Sequence, residues 1–141
     1  MVPGRVVVVE DDEDIRELLH LVLESEGFEV VALNHPLSLE TLDSHRPPAL
    51  FLLDLMLPGM SGVEAARQLR GRGFTAPFIA ISASRLKLQV AAGSGLFDGT
   101  VCKPFDLHDL IECLHRTMVA TTGSAGGLSG PYCSTGDSRD W

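Results

Sequence analysis

Apolar and polar residues follow two different periods along this chain, and the two periods alternate. Five short runs are almost continuously apolar and rich in β-branched residues, which is typical of strands covered on both faces of a sheet. These runs occupy residues 5–9, 28–33, 49–53, 77–81 and 99–102. Between them, apolar residues recur at helical spacing; the clearest helix follows Asp12, a suitable cap, and stops near Gly27. The alternation predicts an α/β fold with a doubly wound parallel sheet.

The other predicted helices are less uniform. They cover residues 37–45, 63–70, 86–92 and 106 to about 117. We expect the helix over 86–92 to be short or mobile. Two glycines lie within residues 91–95, and each glycine inside a helix lowers its stability by roughly 1 kcal/mol. After residue 119 the composition becomes rich in Gly and Ser. This change predicts a single domain over 1–119 and a flexible tail over 120–141.

Composition and charge narrow the range of functions. The 141 residues hold 11 Lys and Arg against 19 Asp and Glu, a net charge of −8, which argues against a nucleic-acid or anionic-membrane surface. No apolar stretch approaches the roughly 20 residues of a membrane span. Cys102, Cys113 and Cys133 fit no metal-ligand spacing and predict reduced thiols, so we expect a cytoplasmic protein.

Residues that can carry chemistry stand at the ends of four predicted strands. They are Glu10 and Asp11 after the first strand, Asp54 after the third, Ser82 after the fourth and Lys103 after the fifth. In an open parallel sheet, ligands bind beyond the carboxyl ends of the strands. We therefore expect these side chains to gather at one edge of the sheet.

Such a cluster suits a hard cation and phosphoryl chemistry. Three neighbouring carboxylates repel one another unless a cation compensates, and all-oxygen ligands in an open site favour Mg²⁺. Asp54 can act as a nucleophile toward phosphorus, as carboxylates do in aspartyl-phosphate enzymes. The Lys103 ammonium would neutralise charge on the transferring group, and the Ser82 hydroxyl could bind one of its oxygens.

Four motifs in this sequence resemble the signatures of two-component response-regulator receiver domains. They are residues 7–12 with Glu10 and Asp11, residues 52–62 with Asp54, Pro58 and Gly62, Ile81-Ser82-Ala83, and Lys103-Pro104-Phe105. The resemblance covers residues 5 to about 119. It implies the flavodoxin-like (βα)5 fold with strand order 2-1-3-4-5, as in the relative CheY.

The resemblance also implies a role for each motif residue. Asp54 would be the phosphoacceptor, and a sensor histidine kinase or phosphotransfer protein would be the donor. Mg²⁺ would be held by Asp54, by Asp11 directly, by Glu10 through water and by the Met56 carbonyl. The phosphoryl group would be bound by Ser82, Ala83, Lys103 and Met56. Ser82 would then move inward and change an output surface on the last strand and its flanking helices.

Two departures from the receiver pattern concern that output surface. The position three residues before the lysine usually holds an aromatic switch residue, and here it is Thr100. The stretch from Ser82 to Lys103 is also slightly shorter than usual. Because a small β-branched side chain cannot report burial as a rotating ring does, we expect an altered output face.

The sequence leaves several functions open. The leading interpretation is a Mg²⁺-dependent phosphorylated receiver with slow autodephosphorylation, which signals by protein contact without a DNA-binding output domain of its own. The alternatives are a non-phosphorylated pseudo-receiver that serves as an interaction module, and a receiver fragment of a hybrid kinase. A phosphohydrolase is disfavoured, because Met56 stands where such enzymes carry a second acid. Whether the chain forms a homodimer is also open.

Overall fold

A computed structural model describes residues 4–122, and a five-stranded parallel sheet forms their centre. The strands of this sheet are β1 (Arg5–Val9), β2 (Glu29–Leu33), β3 (Leu50–Asp54), β6 (Phe78–Ser82) and β7 (Gly99–Cys102). A separate antiparallel hairpin consists of β4 (Met56–Leu57) and β5 (Met60–Ser61). The order in the sheet is β2-β1-β3-β6-β7, so the predicted flavodoxin-like topology is confirmed.

Within residues 4–122, four α-helices and one 3-10 helix follow the strands of the sheet in chain order. They are α1 (Glu13–Ser25), the 3-10 helix (Pro36–Thr41), α2 (Gly62–Gly71), α3 (Arg85–Gly93) and α4 (Leu107–Thr122). As expected, Asp12 caps α1, where its side chain accepts a hydrogen bond from the Ile15 amide. The predicted short helix before β7 is the nine-residue α3, and its mobility stays a prediction.

Two predicted boundaries differ from the structure. The second helix, predicted over 37–45, is a 3-10 helix that stops at Thr41, where Leu42 adopts extended backbone. The last helix was predicted to stop near 117 and the tail to start at 120, but α4 runs to Thr122. Its last turn contains Val119 and Ala120 and meets no Pro or Gly before Gly123, so nothing in the sequence breaks the helix earlier. The rest of the predicted tail, 123–141, lies outside the described residues.

The core lies on both faces of the sheet, because successive strand residues point to opposite sides. One face packs against α2 and α3 and includes Val7, Val9, Phe51, Leu53, Phe78, Ala80, Leu69 and Leu88. The other packs against α1 and α4 and includes Val6, Val8, Leu52, Ile79, Ile81, Leu19, Leu23 and Leu110. All five residues of β3 are buried, so this central strand gives the site a rigid base.

The helices and the cysteines can be compared with the expectation of a cytoplasmic protein that has reduced thiols. None of the helices within residues 4–122 is long and apolar enough to cross a membrane. The expectation of three reduced thiols fails for Cys113, which is disulfide-bonded, whereas Cys102 is not in a disulfide. Cys113 lies on the core-facing side of α4 and is fully buried, a position that composition and spacing alone could not give. The cytoplasmic location stays a prediction.

Candidate functional site

The segment after β1 carries the first acids of the site. The Glu10 amide donates to the Leu33 carbonyl at 3.0 Å, so the pairing of β1 with β2 continues one residue past the strand. The Glu10 side chain turns inward and is 1% exposed, and its Oε2 accepts a hydrogen bond from the Asp12 amide at 3.2 Å. Asp11, between them, is exposed. One acid of the pair is thus fixed in the interior and the other faces solvent.

Asp54 is the last residue of β3 and is 3% exposed. Its Oδ1 accepts a hydrogen bond from the Met56 amide at 2.8 Å, which turns the chain away from the sheet. The β4–β5 hairpin follows and reverses at Pro58 and Gly59, whose φ of +78° suits glycine. Because a hairpin and not a helix comes next, Asp54 is not a helix cap.

The hairpin returns the chain to Asp54 at Gly62, the first residue of α2. A Cβ built on Gly62 would lie 2.5 Å from the Asp54 carbonyl oxygen and 2.9 Å from Leu55 Cα. Backbone atoms cannot yield as the end of a flexible side chain does. The start of α2 therefore lies directly against the peptide that carries the Asp54 carboxylate.

Lys103 follows β7 and reaches both buried acids. Its amide donates to the Ser82 carbonyl at 2.9 Å, and a cis peptide bond joins it to Pro104. Its Nζ lies 3.0 Å from Glu10 Oε1 and 3.1 Å from Asp54 Oδ2. The lysine side chain is only 18% exposed, so both contacts are shielded from water. The predicted meeting of three strand ends is present in the structure.

Burial and charge shift the titration of this cluster. Burial raises the pKa of Glu10 to about 7, and the hydrogen bond and negative charge of Asp54 act in the same direction. For Lys103, burial would lower the pKa, but the hydrogen bonds and charges of Glu10 and Asp54 outweigh it and hold the pKa above its ordinary value. The ammonium therefore stays charged, and one lysine does not fully compensate the acids around it.

The same acids fit a divalent cation. Glu10, Asp11 and Asp54 each offer a carboxylate oxygen within 4.8 Å of the other two. An all-oxygen set of this size, with one member open to solvent, suits Mg²⁺, which keeps several of its waters. Met56, whose carbonyl was predicted as a further ligand, follows Asp54 by two residues, and its side chain is 55% exposed.

The predicted switch residues lie on the neighbouring strands. Ser82 ends β6 one position past Ile81, which pairs with Asp54, and Ser82 is fully buried. Its Oγ accepts a hydrogen bond from the Ser84 amide at 3.0 Å, and Ala83 between them is exposed. Thr100 is 6% exposed and pairs with Ala80 across β6 and β7. Thr100 therefore lies within the sheet and not on its surface.

One contact at the site was missed by sequence reasoning. The Arg16 guanidinium donates from Nη1 to the Glu10 carbonyl at 3.0 Å. Arg16 is the first basic residue after the acidic run 10–14, which is the only signal that the sequence offered. Which oxygen an arginine side chain reaches depends on its rotamer, and a pattern of residue types does not specify it.

Comparison with known proteins agrees with this geometry. The response regulator receiver domain family matches residues 6–115. The transcriptional regulatory protein CseB of Streptomyces coelicolor is 41% identical over 124 residues, 86% of this chain and 52% of CseB. The response regulator MprA of Mycolicibacterium vanbaalenii is 33% identical over 126 residues, 88% of this chain and 54% of MprA. The chain spans about half the length of these curated relatives.

Solved structures show the same relationship. The response regulator protein TrrA from Thermotoga maritima, solved in complex with Mg²⁺ and BeF, has a TM-score of 0.72 and 29% identity; the match covers 83% of this chain and 99% of TrrA. A putative response regulator from Chloroflexus aurantiacus has a TM-score of 0.76 over 83% of this chain and 98% of its own, and at 22% identity it supports the fold alone. The predicted family is confirmed: this chain belongs to the response regulator receiver domain family of two-component systems.

Proposed function

We propose that Asp54 is the phosphoacceptor of this receiver domain and takes its phosphoryl group from a sensor histidine kinase or a phosphotransfer protein. Receiver domains are signalling modules that interact with histidine kinases and bind Mg²⁺, not enzymes that turn over outside substrates. The observation that carries the assignment is the place of Asp54: a buried strand end whose Oδ2 lies 3.1 Å from Lys103 Nζ, inside a cluster of three carboxylates.

The proposed transfer needs little more than orientation and charge. A carboxylate oxygen of Asp54 attacks phosphorus while the bond between phosphorus and the donor's histidine nitrogen breaks. The electron pair of that bond leaves with the imidazole, and the product is an aspartyl phosphate. The Met56 amide, which donates to Asp54 Oδ1 at 2.8 Å, fixes the carboxylate for this attack. An ionised carboxylate needs no general base, since it has no proton to lose.

The phosphoryl oxygens would be bound by groups on three strand ends. The Lys103 ammonium neutralises their charge in a setting where water is largely excluded. Ser82 Oγ already accepts a hydrogen bond from the Ser84 amide, so its own hydroxyl proton remains to donate to a phosphoryl oxygen. The proposed set also includes the backbone amides of Ala83 and Met56, and the Met56 amide would exchange Asp54 Oδ1 for a phosphoryl oxygen once the transfer is complete.

Mg²⁺ would be held by Asp11 and Asp54 directly, by Glu10 through water and by the Met56 carbonyl. The bound ion would neutralise negative charge on the transferring phosphoryl group. The surplus of acid over base in the cluster supports this assignment, because a second cation relieves the repulsion that Lys103 alone leaves.

Intact-mass spectrometry with Mg²⁺ and acetyl phosphate tests the proposal. We expect one added phosphoryl group on the wild-type chain, and none after EDTA or in Asp54→Asn. Asp12→Asn is the matched control, because Asn caps a helix as well as Asp and this exposed acid lies outside the proposed cluster. An adduct that persists in Asp54→Asn contradicts the assignment, because another residue then accepts the phosphoryl group. No adduct on folded protein that binds Mg²⁺ also contradicts it and favours the pseudo-receiver.

Output by protein contact is the second part of the proposal. Ser82 would move toward the bound phosphoryl group, and the neighbouring Thr100 would repack with it inside the sheet. The relatives CseB and MprA are named as regulators and are about twice as long as the matched region, so the expected absence of nucleic-acid contact is proposed for residues 1–119 only. The net charge of −8 over the 141 residues, of which positions beyond 119 contribute only Asp137, Arg139 and Asp140, is consistent with that restriction.

A further inference from the structure

The segment that carries the two proposed metal-binding acids is held at one point by a side chain outside the site. Arg16 is the fourth residue of α1, and its amide donates to the Asp12 carbonyl at 2.9 Å, which closes the first turn. Its side chain then reaches back over the first turn, and Nη1 donates to the Glu10 carbonyl at 3.0 Å. The helix is thereby linked through its own side chain to the loop that precedes it.

The choice of this acceptor is informative, because acids stand close by. Arg16 lines a surface groove along α1 together with Glu13, Glu17 and other residues. Among the described residues, however, no carboxylate lies within 4.0 Å of the guanidinium nitrogens. The cation binds a backbone carbonyl instead, and a hydrogen bond from a charged donor is stronger than a neutral one. The contact therefore fixes a peptide unit and does not simply offset a neighbouring charge.

The peptide unit in question is the one between Glu10 and Asp11. The Glu10 amide is fixed by the Leu33 carbonyl at 3.0 Å, and the Glu10 side chain is fixed by Lys103 at 3.0 Å. Arg16 holds the Glu10 carbonyl and so fixes the plane of the peptide unit to which the exposed Asp11 is attached. Asp11 is the acid of the cluster that burial does not immobilise, so its carboxylate depends most on the orientation of that plane.

We propose that Arg16 is a positioning residue for the divalent cation: by holding the Glu10 carbonyl, it aims the Asp11 carboxylate at the ion. This inference rests on the proposed Mg²⁺ site, and it extends that site to a residue that touches neither the ion nor the phosphoryl group. Outer partners of metal ligands commonly change metal affinity about 10-fold or more.

Charge and position predict opposite results, which makes the proposal easy to test. If Arg16 acted only through its charge, its removal would strengthen Mg²⁺ binding, because one repelling cation would be gone. If it positions Asp11, its removal weakens binding. Arg16→Met keeps the aliphatic stem and the helix propensity of the residue while removing the guanidinium. Arg67→Met is the matched control, since Arg67 is exposed on α2 and loses the same charge.

Calorimetric titration with Mg²⁺ alone gives the readout on the intact chain. We expect Arg16→Met to raise the dissociation constant about 10-fold, Arg16→Lys to stay within about threefold of wild type because it keeps a charged donor, and Arg67→Met to bind as tightly as wild type or slightly more tightly. Thermal melting without Mg²⁺ shows whether each variant is folded. An unchanged or lower dissociation constant in folded Arg16→Met overturns the proposal.

Phosphorylation by acetyl phosphate separates this proposal from the proposed function. Arg16→Met should raise the Mg²⁺ concentration for half-maximal phosphorylation about 10-fold while the rate at saturating Mg²⁺ stays within about twofold. If wild type binds Mg²⁺ but takes no phosphoryl group, the function of Asp54 fails and the titration still decides the role of Arg16. If wild type binds no Mg²⁺, both proposals fail.

Discussion

The site end of the sheet has two halves that are built differently. At the ends of β1, β3 and β7, Lys103, whose side chain is 18% exposed, contacts the buried side chains of Glu10 and Asp54 at 3.0 and 3.1 Å. On β6 and α3, the buried polar side chain is that of Ser82, whose Oγ accepts a hydrogen bond from the Ser84 amide, and α3 turns apolar side chains outward, with Leu86 70% exposed. We call Glu10, Asp54 and Lys103 the charged half; ion contacts hold its side chains in place. We call Ser82 and α3 the relay half; here a single hydroxyl is the buried polar side chain. We therefore expect changes on the outer surface of α3 to alter the proposed readout without altering the proposed acceptance of a phosphoryl group at Asp54.

The largest effect should come from breaking the charged half. Lys103→Met leaves Glu10 and Asp54 buried without their cation, and removal of one partner of a buried pair costs about 3 kcal/mol or more. We also expect acetyl phosphate phosphorylation to slow at least ~100-fold, as when a charge-stabilising donor is removed from an active site. Mass spectrometry and urea unfolding measure both effects.

The chain offers one matched control for this substitution, because it contains only two lysines. Lys87→Met removes the same charge from the exposed surface of α3. In Lys87→Met, the rate of phosphorylation and the free energy of unfolding should both stay near the wild-type values. Equal losses in the two variants would show that net charge, and not the buried contact, explains the result.

The next effect concerns the contact between α2 and β3, the strand that ends at Asp54. In Gly62→Ala, the added Cβ would meet the Asp54 carbonyl oxygen at 2.5 Å, so the backbone must shift. We expect a loss of about 2 kcal/mol in the free energy of unfolding, within the usual range for overpacking, together with slower phosphorylation as Asp54 moves. Chemical denaturation checks the first and acetyl phosphate the second.

Gly71, at the other end of the same helix, is the control for Gly62. A Cβ on Gly71 would have nothing within 4 Å. Gly71→Ala should therefore gain roughly 0.5–1 kcal/mol from helix propensity. If both alanine variants shift stability in the same direction, the close approach at Gly62 has no energetic consequence.

A smaller effect is expected on the relay half. Ser82→Ala removes a hydroxyl that is proposed to donate to the phosphoryl group, and a hydrogen bond to a charged partner is worth about 1.5 kcal/mol. Phosphorylation should therefore slow about 10-fold. Ser82→Thr keeps the hydroxyl and should recover most of the rate, measured by the same mass assay. A Thr variant as slow as Ala would mean that the hydroxyl is not the relevant group.

The smallest effect should come from the outer surface of α3. Leu86 and Val90 are 70% and 60% exposed, so their side chains contribute little to the hydrophobic core. Replacing both by Gln should change stability by no more than about 0.5 kcal/mol and leave phosphorylation within about twofold. A large loss of phosphorylation would remove the distinction between the two halves, since it would couple the output surface to the acceptor directly.

Much of this molecule follows from the sequence. Continuous apolar runs mark the five strands because both faces of a parallel sheet are covered, and strand ends place Glu10, Asp54 and Lys103 at one edge. Asp12 as a cap follows from the same local chemistry. These features depend on short-range patterns or on a topological rule, so the order of residue types is enough to predict them.

Other features depend on tertiary packing and were missed. Residues 37–45 have a helical pattern, yet the structure has a short 3-10 helix that starts at Pro36. The Arg72 side chain donates to the carbonyls of Leu39 and Leu42 at 2.8 Å, a contact between distant residues that the pattern does not contain. The contact of Arg16 with the Glu10 carbonyl depends on a rotamer. The simultaneous reach of Lys103 to two acids depends on the exact spacing of three strands. Residue types predict which groups meet, and packing decides which atoms touch.

The two lysines make this domain a chemical reporter of its own site. Amine acylation requires a neutral nitrogen that the reagent can reach, and Lys87 lies exposed on α3. Lys103 is 18% exposed, ion-paired, and has a pKa above its ordinary value. A lysine-directed reagent should therefore label Lys87 first. Peptide masses give the ratio of label at the two positions. A larger share at Lys103 means that its contacts with Glu10 and Asp54 are broken more often. The measurement needs no probe introduced into the chain.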